Sequence, residues 1–214
     1  MPVYDLQILP ENIRSRGVVK NYPKDTILHH QEDVHHHICF LQSGRAFATS
    51  INIEGDETWV AEYTVGQFLG CEGLFDREPS KYQVVAKTPI TGILFSRENF
   101  IDLLNAYPEL NNMLLADMAR QLNRATTHTL EANSLSTPGR IAAELYRQAR
   151  PIGRDPGTHI IRPTPVFSEL AQRLGSSRET VSRTVSKMVK TGVLERKTGA
   201  LVVPSLEYLH AQIE

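Results

Sequence analysis

The stretch from Gly175 to Gly192, GSSRETVSRTVSKMVKTG, carries Arg178, Glu179 and Arg183 on a segment whose only apolar residues are Val181, Val185, Met188 and Val189. It reads as a short amphipathic helix that holds two guanidiniums and a carboxylate along one side. The residues just before it, VFSELAQRLG (166–175), read as a second short helix. Gly175 permits the left-handed backbone that a tight turn between the two needs, and Leu170, Leu174, Val181 and Val185 supply a shared apolar contact. The spacing from Ser176 to Glu179 is that of an S-x-x-E capping box, which would start the second helix with its first residues ordered and exposed. After it, VLERKTGALVV (193–203) reads as a β-hairpin turned at Lys197 to Gly199.

Two helices across a glycine turn followed by a hairpin form a winged helix-turn-helix, and the exposed trio then acquires a chemical meaning. An arginine fork matches O6 and N7 of guanine in the major groove, and a carboxylate accepts from N4 of cytosine. Glu179 and Arg183 are four residues apart and share a face, with Arg178 beside them at the tip. Ser177, Thr180, Ser182 and Lys187 are candidates for phosphate contacts, and small side chains there let a helix approach the groove. The plainer alternative is a solvated helix with a Glu179–Arg183 ion pair. That alternative does not account for the preceding helix, the glycine, the hydroxyl residues and the wing together.

The chain has 214 residues and a net charge of −1, with 41% hydrophobic residues, enough for one large or two modest domains. Residues 134–214 hold 12 Lys/Arg against 7 Asp/Glu, a net of +5, whereas residues 1–133 hold 11 against 17, a net of −6. A basic C-terminal half beside an acidic N-terminal half is consistent with a polyanionic partner for the former. No stretch is apolar enough for a membrane helix and the N-terminus lacks a signal-peptide layout, so no membrane partner and a cytoplasmic location are expected. Two cysteines, Cys39 and Cys71, exclude a disulfide framework and a four-cysteine cluster, and reduced, buried thiols are expected. Paired carboxylates at useful spacing, G-x-S-x-G, a phosphate loop and H-E-x-x-H are all missing from the sequence, which gives no support for an enzyme.

From Val18 to Phe95 short β-rich pieces alternate with turn signals at Gly44, Gly55-Asp56, Gly66, Gly70 and Gly73, the spacing of an antiparallel sandwich or barrel. Helical patterns follow: RENFIDLLNAY (97–107), then a long segment from Pro108 to about Ala132. Leu115, Met118, Leu122, Ala125, Thr129 and Ala132 trace an a/d seam along it, while Leu110, Met113 and Leu114 face its own sheet. A second stripe left over implies a partner helix and hence a homodimer. In NSLSTPGR (133–140), Thr137 is expected to cap a new helix with Pro138 at its first position, and this is the candidate hinge. PIGRDPGTHIIRPTP (151–165) reads as a loop and short-strand region.

Taken in order, YPKDTILHHQED, ICFLQSGRAF, GQFLGCEGLFD, VVAKTP, MARQL, PGRIAAELY and GSSRETVSRTVSKMVKTGVLE resemble the blocks of the cyclic AMP receptor protein/FNR (CRP/FNR) family of bacterial transcription regulators over nearly the whole chain. The resemblance implies an α+β protein: a cyclic-nucleotide-binding-type β-roll (jelly roll) over 1–107, a dimerisation helix over 108–133, a hinge over 134–137 and a winged helix-turn-helix over 138–214. It implies a homodimer on double-stranded DNA, reading an inverted repeat with TGTGA-like half-sites. Glu179 and Arg183 would read the TGA core, Arg178 would favour the TGTGA form, and Ser182 matches the serine of the FNR branch. RNA polymerase is a further candidate partner, and a non-DNA-binding nucleotide adaptor is the alternative least in keeping with the basic helix.

The family's effector pocket is where the sequence departs. Cyclic AMP binders of this family carry G-E for the ribose and R-S/T for the cyclic phosphate. Here Cys71 follows Gly70, Glu72 is displaced by one residue, and Ser80, Lys81 and Tyr82 stand at the phosphate positions. A one-residue shift turns a side chain to the other face, so Glu72 is not expected to substitute, and Lys81 offers a point charge rather than a fork. These residues, with Thr126 of the long helix, are the effector-pocket candidates, and ordinary cyclic AMP control is not expected. A cyclic nucleotide or dinucleotide, or effector-independent binding, stays open, as does haem or redox sensing. Haem would draw its axial ligands from His29, His30, His35, His36 and His37, with Cys71 as a thiolate. The plain reading of that cluster, beside Gln31, Glu32 and Asp33, is a solvated polar loop with no metal.

Overall fold

The computed structural model of the chain describes residues 8–74, 76–152 and 155–213. Residues 1–7 of the expected β-roll, Phe75 of the GQFLGCEGLFD block, 153–154 of the 151–165 loop and residue 214 lie outside the described residues. The chain divides into two compact units, 1–125 and 126–214.

Among the described residues the N-terminal unit has the one-turn helix α1 (Glu11–Arg14) followed by eight strands: β1 (Val18–Tyr22), β2 (Ile27–His29), β3 (His37–Ser43), β4 (Ala46–Ile51), β5 (Glu57–Tyr63), β6 (Phe68–Leu69), β7 (Gln83–Ala86) and β8 (Ile90–Ser96). They form two antiparallel four-stranded sheets, ordered β1-β8-β3-β6 and β2-β7-β4-β5, so consecutive strands repeatedly cross between sheets as in a roll. The run ICFL in β3 is apolar without interruption because both faces of its sheet are covered. Cys39 and Leu41 pack with Tyr22, Ala46, Ala48, Tyr63, Leu69 and Val84 in one core. Ile38 and Phe40 point the other way, packing with Phe68, Ile93 and Phe95 against Phe100, Leu103 and Leu104 of α2 (Arg97–Ala106). Phe40, Phe68, Phe95 and Phe100 are all fully buried, each contributing roughly 1.5–3 kcal/mol by the area taken from water.

The long helix α3 runs from Pro108 to Ser134, and its residues through Ala125 group with the N-terminal unit. Leu110, Met113 and Leu114 join the Phe100 cluster, as the sequence pattern indicates. The next residue on that stripe is Asp117, which is completely buried. Its carboxylate accepts hydrogen bonds from the Phe68 N–H (2.9 Å), Gln67 Nε2 (3.3 Å) and Gln121 Nε2 (2.9 Å), which satisfies a buried charge and ties α3 to the strand preceding Gly70.

The C-terminal unit comprises α4 (Thr137–Gln148), β9 (Arg150–Ile152), β10 (Asp155–Ile161), α5 (Phe167–Arg173), α6 (Arg178–Lys190), β11 (Glu195–Lys197), β12 (Ala200–Val203) and α7 (Leu206–His210), preceded by the last turns of α3. The four strands form one antiparallel sheet ordered β11-β12-β10-β9. Ile141, Leu145, Leu170, Leu174, Val181, Val185, Met188 and Leu201 form its core. The cap of α4 falls one residue before the expected Thr137: Ser136 accepts from the Gly139 N–H at 3.2 Å. The Thr137 hydroxyl is instead engaged by Arg140 Nη2 at 3.1 Å, and Pro138 lies inside the first turn. Among the described residues no helix is long and apolar enough to cross a membrane.

Candidate nucleic-acid interface and effector cavity

Helix α5 ends on Leu174 with Gly175 at φ +58°, a left-handed value that a glycine adopts without strain. The Ser176 N–H closes back on the Ala171 carbonyl at 2.9 Å and the Gly175 N–H on that of Gln172 at 3.4 Å, the paired bonds of a Schellman turn. The cap of α6 falls on Ser177, whose Oγ accepts from the Thr180 N–H at 3.1 Å, so the expected Ser176–Glu179 capping box is not formed. The consequence matches the one anticipated: α6 starts in a fixed register with its first residues outside.

Val181, Val185 and Met188 are buried against Leu170 and Leu174, so the opposite side of α6 faces outward by geometry. Arg178, Glu179, Arg183 and Lys187 are exposed, and Thr180 and Ser182 are half-buried. Glu179 and Arg183 do not pair with each other, and the guanidinium of Arg183 reaches only the Thr180 hydroxyl at 3.4 Å. The solvated ion pair that the sequence alone left open is absent. The hairpin β11–β12 turns between Lys197 and Ala200, and Arg196 on it donates to Ser186 Oγ at 3.3 Å, which fixes the wing to the same helix. The surface presents three unpaired charged groups at a helix tip, with hydroxyls and Lys187 beside them, a donor and acceptor set suited to base edges and phosphates.

The seam residues of α3 are outside as well. Leu115 is 63% and Leu122 68% exposed, Met118 40%, and Ala125, Thr129 and Ala132 are exposed. Exposed apolar side chains at this spacing are the chemistry of a helix–helix contact.

In the N-terminal unit, Cys71, Glu72, Ser80, Lys81 and Tyr82 surround a cavity of about 420 Å³, together with Tyr63, Asp76, Glu78, Pro79, Met118 and Gln121. Glu72 does reach it, contrary to the expectation from its one-residue shift, because Cys71–Leu74 form a single 3-10 turn rather than a strand. The Glu72 side chain is 42% exposed and accepts from the Tyr82 hydroxyl, which lies 3.1 Å from that of Tyr63. Burial raises the Glu72 carboxyl above its usual range. Ser80 is buried and spent on its own loop, its Oγ donating to the Tyr82 carbonyl at 2.8 Å and its N–H to that of Asp33 at 2.8 Å. Lys81 is exposed. Two of the expected pocket residues are not among those lining it: Gly70, at φ +86°, and Thr126, exposed on α3 within the C-terminal unit. Sequence reading missed Tyr63, Asp76, Glu78, Met118 and Gln121. The alternation of β5 could have pointed Tyr63 inward, whereas the two acids sit on an irregular loop with no period to read.

The histidines are not all a solvated loop. His30, His36 and His37 are exposed, but His35 is 5% exposed, its ring stacked on His29 with centroids 3.4 Å apart. It lies over the turn of the GQFLGCEG block: a Cβ at Gly73 would meet the His35 Cβ at 2.4 Å, so only glycine allows this approach. Burial, with the neighbouring His29 and His36, lowers His35 to about 4, so the ring is neutral and its 3.7 Å approach to Glu72 is not an ion pair at neutral pH. His29, His35, His36 and His37 line a second cavity of about 590 Å³ with Lys20, Asp33 and Cys39. Cys71, the thiolate of the haem alternative, is not among the residues lining that cavity, and burial holds its thiol well above the usual range. Among the described residues no group of three or more histidines, cysteines or carboxylates is arranged to hold a metal ion.

Residues 19–107 match the cyclic nucleotide-binding domain, and residues 139–212 match the Crp-like helix-turn-helix domain. The cAMP-activated global transcriptional regulator CRP of Haemophilus influenzae is 29% identical over 185 residues, covering 85% of this chain and 82% of that protein. Among solved structures, CooA from Carboxydothermus hydrogenoformans superposes with a TM-score of 0.82 at 18% identity, over 95% of this chain and 91% of that one. The c-di-GMP responsive global regulator CLP of Xanthomonas campestris does so at 0.74 and 19%, over 90% and 96%. At these identities the two structures speak to the fold alone.

Proposed function

The chain belongs to the CRP/FNR family of transcription regulators, and from that premise we propose that it works as a homodimer reading an inverted repeat with TGTGA-like half-sites. The observation that carries this reading is the exposed, mutually unpaired trio Arg178, Glu179 and Arg183 at the capped start of α6. Arg183 and Glu179 read the guanine and cytosine of the core, Arg178 the flanking step, and Ser177, Thr180, Ser182 and Lys187 hold phosphates. The seam of α3 supplies the two-fold axis, which sets half-site centres about one helical turn, ~34 Å, apart. The protein acts in the cytoplasm, where RNA polymerase is the candidate protein partner.

Binding of a labelled TGTGA palindrome across a salt series tests the reading, with scrambled DNA as the control. Arg183→Ala is expected to weaken the matched site by ~1–3 kcal/mol and to relax preference at one guanine, whereas Lys187→Ala weakens every sequence evenly and reduces the salt slope by about 1. Equal losses on matched and mismatched sites for Arg183→Ala, or a loss confined to the matched site for Lys187→Ala, would remove the assigned roles.

The N-terminal cavity biases DNA binding through α3, whose Met118 and Gln121 line it. The Haemophilus relative is activated by cAMP, but the residues here do not fit a cyclic phosphate. Among the lining residues Glu72, Asp76 and Glu78 stand against Lys81, and Tyr82 is the residue where the family resemblance implies a small one. A phosphodiester would meet more negative than positive charge, without a guanidinium fork. Calorimetric titration with cyclic AMP is expected to give no heat of binding at micromolar ligand and no change in DNA affinity. Micromolar binding would return the chain to ordinary cyclic AMP control.

A further inference from the structure

The C-terminal unit contains one buried set of charges that the DNA-reading surface does not use. Glu144 of α4 is 4% exposed, yet its carboxylate accepts from Arg147 Nε (3.1 Å) and Nη2 (2.8 Å), from Gln148 Nε2 (2.7 Å) and from Arg173 Nη1. The remaining arm of Arg147, Nη1, donates to Glu131 Oε1 on the last turns of α3. Burial pushes the Glu144 carboxyl up, but Arg173, Gln148 and Arg147 outweigh it and hold it below its usual range. Two carboxylates and two guanidiniums therefore form a balanced chain through three helices. Glu131 lies on the end of the helix that carries the seam, Glu144 and Arg147 on α4, and Arg173 on the first helix of the helix-turn-helix.

The break between α3 and α4 is held from a second side. Arg140 donates through Nη1 to the Leu135 carbonyl at 3.0 Å and through Nη2 to Thr137 Oγ1 at 3.1 Å, spanning the residues that separate the helices. Buried ion networks contribute little net stability compared with apolar packing, but a planar fork engaging two carboxylates at once admits few geometries. What such a network fixes is orientation. Here the orientation is that of the last turns of α3, which carry Thr129 and Ala132 of the seam, with respect to α5, and through the Schellman turn to α6.

We infer that the Glu131–Arg147–Glu144–Arg173 network is a specificity-determining element that sets the spacing between half-sites. These are positioning residues, buried or half-buried, that touch no base. The inference rests on the dimeric reading proposed above. In a two-fold dimer, each recognition helix is carried at a fixed angle from the seam, so one base pair inserted between half-sites displaces and rotates the second half-site out of reach of a rigid link. A loosened link follows it.

The test uses the full-length protein and a series of inverted repeats whose spacers change one base pair at a time, with affinity read by fluorescence anisotropy. The wild type is expected to prefer one spacer over its neighbours by about tenfold or more, equivalent to ~1.4 kcal/mol. Glu131→Gln, Glu131→Ala and Arg147→Lys are each expected to reduce that preference to threefold or less, roughly 0.6 kcal/mol, while the affinity for the best spacer and the salt slope change little. A merely structural role would lower all affinities together and leave the ratio intact, and that result overturns the inference. Thermal unfolding of each variant identifies any that fails to fold, and the three substitutions differ enough in severity that the mildest, Glu131→Gln, carries the measurement. A wild type that binds with no spacer preference would instead sink the dimeric reading and this inference with it.

Discussion

Leu122→Glu is expected to convert the protein to a monomer at micromolar concentration and to weaken binding of the palindromic site by at least ~100-fold, because tethering two half-site readers is what raises affinity above that of one. Leu122 is 68% exposed in the isolated chain, so the substitution removes nothing from either core and leaves the melting of the monomer essentially unchanged. In the dimer proposed above the same position would lie against its two-fold mate. Two leucines lose about 1.5–3 kcal/mol of burial each, and two carboxylates are brought together across the seam. Sedimentation measures the assembly and anisotropy the DNA affinity. A variant that stays dimeric and binds as before would place the interface elsewhere than on Leu115, Met118 and Leu122.

Acidification from pH 7 to pH 5 is expected to remove about 2 kcal/mol from the stability of the N-terminal unit through His35 alone, approaching ~3 kcal/mol near pH 4. The native ring titrates at about 4, against 6.5 for a free histidine. Between those values the unfolded chain holds the extra proton, so stability rises with pH through that window and falls as pH drops through it. Glu72, 3.7 Å away, does not reverse the sign, since burial and the adjacent His29 and His36 disfavour the imidazolium. His35→Phe keeps a ring to stack on His29 and removes the titration. Urea unfolding followed by the single tryptophan, Trp59 on β5, compares the two slopes. Equal dependence on pH in wild type and variant would show that His35 is not the group responsible.

Much of this protein is written locally. The turn glycine at 175, the apolar stripe Val181–Val185–Met188 and the wing hairpin depend on neighbours a few residues away, so their periodicity alone reveals the helix-turn-helix. The stripe and the seam of α3 are legible for the same reason, and so is the uninterrupted apolar run of β3. Cap positions are less so. Ser176 and Ser177 offer the same hydroxyl, and it is Ser177 that caps α6 while the Ser176 N–H closes the preceding helix.

The amino-acid sequence by itself determined the order of the elements and the outward charges of α6, because each follows from residue types at helical or strand spacing. Only the tertiary structure decided which polar residues go inside. Asp117 is buried because the ladder of β6 offers it an N–H, and His35 because Gly73 leaves room for its Cβ and backbone and Gly70 for its ring. Glu144 can be buried because Arg173, 29 residues further on, arrives to balance it. Burial of a charge or an imidazole requires partners that distant segments bring, and no spacing along the chain encodes their arrival.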